Sequence, residues 1–192
     1  MKKLLLLTIC LASAGQLAAQ HPERPKGLPL TVTLFSESVS LPNFRNIFRN
    51  GHFGVRVGTE LYYKSSVHRQ WFQTMNLGYY RHRYLHNGLY LSSEMGYRKF
   101  FGNAFADATV GVGGLMLDSA LPRYQPSAEG YSKASSVHFK LMPTLGMGAG
   151  YRFNQLTVFS RYELFGEMPF GFKGLPALPH KAIHVGTRFS IK

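Results

Sequence analysis

Glu60, Glu94 and Glu163 are carboxylates that could do acid–base work, because paired acids can donate and accept a proton in turn. Asp118-Ser119, with histidines near it, offers the acid, nucleophile and base of an acyl-transfer triad. His52, His82, His86, His138, His180 and His184 are candidate ligands for a metal or haem, since neutral imidazole binds both. Arg45, Arg49, Arg81, Arg83, Arg123, Lys133, Lys173 and Lys181 could hold phosphate groups, with arginine doing so bidentately. Which chemistry is available depends on which of these side chains share a surface, and that is set by the elements that carry them.

Those elements are strands. Phe53, Val55, Val57, Thr59, Leu61 and Tyr63 alternate with His52, Gly54, Arg56, Gly58, Glu60 and Tyr62. A strand sends successive side chains to opposite faces, so one face is apolar and the other is polar and rich in glycine. The same pattern predicts strands over 30–40, 51–63, 68–80, 88–98, 103–117, 136–152, 155–167 and 181–191. The first is the weakest, because Ser36, Glu37 and Ser38 break its apolar face, and a bulge or a shorter strand is expected there. Pro143 removes a ladder hydrogen bond, so a second bulge is expected near it.

A half-polar sheet can bury its apolar face in a core or turn it to lipid, and three patterns favour lipid. The connections 41–50, 81–87, 118–135 and 168–180 are long, whereas 64–67, 99–102 and 153–154 are short, in strict alternation. Membrane barrels have short turns on the periplasmic side and longer loops outside. No charge occupies an apolar-face position from Trp71 through Tyr79, Leu89 through Tyr97, Ala104 through Met116, Val137 through Tyr151, Leu156 through Leu164, or Ile183 through Ile191. A lysine or arginine facing lipid at the bilayer midplane would cost about 2–4 kcal/mol. Tyr63, Trp71, Tyr97, Tyr151 and Phe189 all fall at the periplasmic ends of their strands on that same face, the placement of an interfacial aromatic girdle.

The opposite face then points into the barrel. It carries Arg56, Glu60, Glu94, Arg98, Asp107, Lys140, Arg152, Arg161, Glu163 and Arg188, with glycines that leave room for long charged side chains to cross. Eight strands enclose a space just wide enough for side chains to fill. Buried charges must pair. The expected interior is an ionic plug without a pore, and its carboxylates are structural and not catalytic.

The first nineteen residues set the compartment. Lys2 and Lys3, an apolar run from Leu4 to Ala12 and the small residues that lead to Ala18-Ala19 form a secretory signal peptide, with cleavage expected after Ala19. Residues 20–29 follow as a polar, proline-rich periplasmic tail, and 30–192 form one domain. Cys10, the only cysteine, lies in the signal, so the mature chain has no disulfide and no thiol chemistry. Removing Lys2 and Lys3 lowers the formal charge from +13 to +11. Export makes nucleic acid an improbable partner for this charge and favours an anionic envelope component.

These features resemble the small eight-stranded outer-membrane β-barrels of Gram-negative bacteria, the OmpA-transmembrane and OmpX type. The segment Ile183-x-Val185-x-Thr187-x-Phe189-x-Ile191-Lys192 is similar to the C-terminal signal read by the barrel-assembly machinery. The Ala-Ala-Gln region and the phrase His52-Phe53-Gly54-x-x-x-Gly58-Thr59-Glu60 resemble barrels of the Bacteroidota, a group without a settled activity. The resemblance implies an all-β, up-and-down transmembrane barrel, a monomer in the outer membrane, with lipid and lipopolysaccharide as partners and no cofactor. Arg45, Arg49, Arg81, Arg83, Lys173 and Lys181 are the candidate lipopolysaccharide contacts, and a structural or adhesive role without enzyme activity is expected. Lipid A acyltransferases and deacylases are the rival class, with Ser119 and His138 as the residues to test. Against them, residues 20–29 cannot form the acyltransferases' N-terminal amphipathic helix, and the deacylases' His-x-Ser is missing. A metal or haem site on the rim is the third reading, although His180 and His184, four strand residues apart, are separated by roughly 13 Å.

Overall fold

A computed structural model describes residues 27–39, 52–81, 86–119, 124–127, 130–133, 137–154, 156–169 and 177–191. Its strands are β1 (Leu28–Val39), β2 (His52–Ser65), β3 (Arg69–Arg81), β4 (His86–Phe101), β5 (Ala104–Ser119), β6 (Tyr124–Ser127), β7 (Gly130–Lys133), β8 (Val137–Phe153), β9 (Leu156–Glu167) and β10 (Leu178–Ile191). All but β6 and β7 form one closed antiparallel barrel in the order β1-β10-β9-β8-β5-β4-β3-β2. Every strand pairs with its neighbour along the barrel chain, and β10 returns to β1, so no edge is left open. No helix occurs among the described residues. The hairpin β6–β7, which the periodicity does not reveal, stands apart in the long β5–β8 connection.

All eight barrel strands fall where the alternation predicts them, with ends moved by a few residues; β1 starts at Leu28 rather than Leu30. The weak first strand is a correction. β1 runs unbroken to Val39, in register with β10 through Ser36↔Ile183, Glu37↔Ala182 and Ser38↔Lys181. Glu37 does not break the apolar face, because it lies on the inner one and reaches His180 there. Pro143 is a second correction. The β8–β9 ladder stops at Thr144↔Phe165 and resumes as Leu141↔Met168 in the same register, so there is no bulge. Leu141 and Met168 exchange both backbone hydrogen bonds, which puts the N atom of Pro143 on the β9 side, where its missing donor interrupts the ladder. The irregularity lies instead between Tyr62 and Lys64, where β2 shifts against β3.

Burial follows the pleat. In β3, Trp71, Met75, Leu77 and Tyr79 are exposed, while Phe72, Thr74, Asn76 and Tyr80 are buried. The exposed side is apolar all around: Leu34, Phe53, Val55, Leu91, Val110, Phe139, Leu145, Met147 and Val185 are each more than half exposed. From Phe53 to Tyr63 a strand tilted as in a small barrel rises about 25 Å, the height of a membrane barrel's apolar band. Two polar residues on this face satisfy each other, with Gln73 Nε2 donating to Ser93 Oγ at 2.7 Å.

Candidate functional site

The inner face, from the short-turn end upward, begins with an apolar floor of Phe100, Phe105 and Phe159. Above it, charged side chains join in one alternating series. Arg188 meets Glu60 at 2.9 Å, and Glu60 meets Arg98 at 2.9 Å. Arg98 meets Asp107 at 2.9 Å, and Asp107 lies 3.9 Å from Arg161. Arg161 meets Glu94 at 2.9 Å, and Glu94 lies 3.8 Å from Arg56. Arg56 meets Glu163 at 2.6 Å, and Glu163 ends the series 3.5 Å from His184. Four arginines thus balance four carboxylates, with every carboxylate held between two bases. These residues come from β2, β4, β5, β9 and β10, so the series ties opposite walls together.

Arg98 is its hub. Its guanidinium forks onto both oxygens of Glu60, shares Asp107 and donates to Gln70 at 3.0 Å. The ring of Phe72 lies 4.1 Å below its charge. Arginine suits this place because its planar fork carries several fixed donors. Arg152 differs from the expected plug member. It is half-buried over the Phe100 ring at 4.7 Å and has no carboxylate partner among the described residues. Lys140 also stays out of the series and donates to the carbonyl of Pro169 at 2.7 Å.

Above the series lies an apolar layer of Phe35, Tyr80, Tyr90, Leu115, Leu117, Met142, Phe165 and Ala182. It explains many of the inner-face glycines better than crossing charges do. Phe35 stands opposite Gly54, Tyr90 opposite Gly78, and Tyr80 opposite Gly88, and in each case an added Cβ would overlap the aromatic ring. Each glycine is a flat rest for the cross-strand ring beside it, an arrangement that lets rings fill a narrow barrel. Over this layer, His180 closes the external end. Its Nδ1 lies 2.6 Å from Glu37, its Nε2 lies 3.0 Å from Glu167, and the ring stacks on Phe165 at 4.6 Å.

His180 and His184 are therefore interior residues, which corrects their assignment to the rim. Both nitrogens of His180 already face carboxylates. Among the described residues, no group of three histidine, aspartate or glutamate side chains is arranged to hold a metal ion. Sequence reasoning misses Glu37, Glu167, His180 and His184 as plug members. Inner parity was the signal: Glu167 continues the row of Arg161 and Glu163, and His180 the row of His184 and Arg188.

Lys181 is another correction. Its side chain is only 1% exposed, so it cannot meet a lipopolysaccharide phosphate. Arg81 is exposed at the external end of β3, whereas Arg45, Arg49, Arg83 and Lys173 lie outside the described residues. Asp118 lies on the outer face of β5 and His138 on the inner face of β8, so the two do not form an acid–base pair. Tyr63, Trp71, Tyr97, Tyr151 and Phe189 all lie on the outer face toward the short-turn end, with the Trp71 and Tyr97 rings 5.1 Å apart. Phe101 and Phe153 extend that row.

A polar cavity between Thr31, Thr33, Thr74, Asn76 and Arg56 measures about 10 Å³, space for one water molecule. A closed eight-stranded barrel with an apolar exterior and a filled, charged interior defines the class of outer-membrane β-barrels.

Solved structures of several proteins are similar to this chain. Neisserial surface protein A superposes with a TM-score of 0.50 at 10% identity, over 85% of this chain and 96% of that one. The outer membrane enzyme PagL gives 0.49 at 11% identity, over 85% and 99%. Ail of Yersinia pestis, solved with the heparin analogue sucrose octasulfate, gives 0.48 at 11%, over 85% and 99%. At such identities the likeness is one of fold. No protein-family model matches the chain, and no curated protein sequence matches it.

Proposed function

We propose that this protein is an integral outer-membrane barrel of the OmpX-like structural and interactive kind, without enzyme activity. Its closed body serves as a membrane scaffold, and its external rim and loops make the contacts. The observation that carries this reading is the alternating series from Arg188 to His184. Every carboxylate in it is held between two bases, which supports a structural role for these acids over a catalytic one. The exposed cation Arg81 at the external end, with Arg83 beyond it in sequence, supports contact with lipopolysaccharide phosphates.

The test begins with protein extracted from outer membranes in detergent. Unheated, it migrates as a compact barrel on a gel, and after boiling it shifts to its unfolded position. In planar bilayers it gives no steady conductance. A soluble periplasmic fraction or a stable open channel would overturn the proposal. Replacing Ser119 with Ala leaves the lipid A acyl pattern of the cell unchanged by mass spectrometry, and a changed pattern would restore the enzyme reading. The double variant Arg81→Ala, Arg83→Ala co-purifies with less lipopolysaccharide, and equal amounts would remove that contact.

A further inference from the structure

The described carboxylates of this barrel are almost all inside it. Of the seven described, Glu37, Glu60, Glu94, Asp107, Glu163 and Glu167 are buried, and only Asp118, at the external end of β5, is exposed. The cations are not confined in this way. Lys64, Arg69 and Lys99 are exposed on the three adjacent strands β2, β3 and β4, at the end opposite to Asp118. No described carboxylate pairs with any of them.

Their geometry is unfavourable in isolation. Arg69 stands directly opposite Lys99. The Phe100 amide donates to the His68 carbonyl at 2.8 Å, which makes the flanking Arg69–Lys99 pair a non-hydrogen-bonded one. Side chains of such a pair stand closest, with Cα atoms about 4.5 Å apart. Like charges directly opposite on a sheet repel. The third cation arrives through the irregularity in β2. Between Tyr62 and Lys64 the register slips by one residue, so Lys64 pairs with Trp71 and both Tyr63 and Lys64 are exposed. An unslipped strand would turn one of the two inward.

The cluster also has a defined depth. Arg69 lies two residues beyond Trp71 and Lys99 two beyond Tyr97, on the same face. Two residues of a tilted strand rise about 5 Å. Arg69 and Lys99 thus sit just past an aromatic pair that marks the edge of the apolar band, at the level of lipid headgroups on the short-turn side, and Lys64 stands beside Trp71. Basic residues at that level attract anionic lipid, about 1 kcal/mol for each Lys or Arg, or roughly five-fold in affinity.

We propose that Lys64, Arg69 and Lys99 form a site for the phosphate of an anionic phospholipid in the periplasmic leaflet, with Trp71 and Tyr97 against its glycerol and upper acyl chains. The anion offsets the repulsion between Arg69 and Lys99, and the slipped register of β2 supplies the third contact. This inference rests on the membrane reading above.

Trp71, the sole tryptophan of the chain, stands beside the site and reports on it. The full mature protein is reconstituted in phosphatidylcholine vesicles, and its fluorescence is quenched by brominated phosphatidylglycerol or brominated phosphatidylcholine. Wild type prefers phosphatidylglycerol at Trp71 by at least roughly ten-fold. The triple variant Lys64→Gln, Arg69→Gln, Lys99→Gln loses that preference. Equal quenching by both lipids in wild type overturns the proposal, as does a preference that survives in the triple variant. So does displacement of the lipid by an equal concentration of inorganic phosphate, which would mark a site for free anion, or by lipopolysaccharide. Heat-modifiable migration is measured on every sample. A triple variant that migrates as a barrel but lacks lipid preference supports the site, whereas loss of barrel migration in wild type refutes the membrane reading itself.

Discussion

The two ends of the barrel interior are closed by different means. Toward the short turns, four arginines and four carboxylates form a balanced series in which each carboxylate has two basic neighbours. Toward the external loops, one imidazole stands between two carboxylates, Glu37 and Glu167. An aromatic layer that includes Phe35, Tyr80, Tyr90 and Phe165 separates them. The arginine series braces five strands against one another. The His180 clasp joins β1, β9 and β10, at the points where β1 leads into one long external connection and β9–β10 flank another. Redundant bracing by four arginines therefore lies in the body, and one imidazole between two carboxylates lies at the loop roots.

Substitutions can break this contrast, beginning with the hub. Arg98→Met removes the fork to Glu60, the contact to Asp107 and the cation over Phe72. Removing one partner of a buried ion pair costs about 3–5 kcal/mol. Urea titration of the reconstituted barrel, read by heat-modifiable migration, should show that loss. A change below about 1 kcal/mol would mean the series is ornamental to stability.

Glu94→Gln should cost less, about 1–3 kcal/mol, because Arg56 keeps Glu163 and Arg161 keeps Asp107 nearby. The double variant Arg98→Met, Glu94→Gln then reads their coupling, and a departure from additivity above about 0.5 kcal/mol is expected of members of one network. Strict additivity would split the series into independent pairs.

His180→Gln should differ in kind. Its effect on the urea midpoint should be smaller than that of Arg98→Met, while external protease cuts the long connections that flank β1 and β10 faster in intact cells. Unfolding as severe as that of Arg98→Met, with unchanged loop cleavage, would erase the distinction between the two ends. Local opening at loop roots, separate from global unfolding, is the behaviour that makes the contrast measurable.

Much of this was legible in the sequence because a strand's period of two is written residue by residue. Phe53 to Tyr63 shows which side chains face lipid, and the same parity puts Arg56, Glu60, Glu94, Arg98, Asp107, Arg161, Glu163 and Arg188 inside. Parity fails where its meaning changes along one strand. Ser36-Glu37-Ser38 looks like a damaged apolar face, yet Glu37 is in place on the inner one. Lys181 has outer parity but is buried, so parity alone does not mark it as unavailable. His180 and His184 look like rim ligands because they lie near a loop in sequence, although β10 extends from Leu178 and carries both into the interior.

By itself, the sequence determines the two-faced strands of the barrel, their number and order, and which face carries charge, because alternation and turn chemistry are local. Tertiary structure alone decides who meets whom. The partnership of Arg56 with Glu163 spans more than a hundred residues, and it exists only because closure brings β2 and β9 to facing walls. The rings that rest on Gly54 and Gly78, the clasp at His180 and the convergence of Lys64, Arg69 and Lys99 have the same origin. Register sets cross-strand neighbours, and closure of the barrel sets neighbours across its interior.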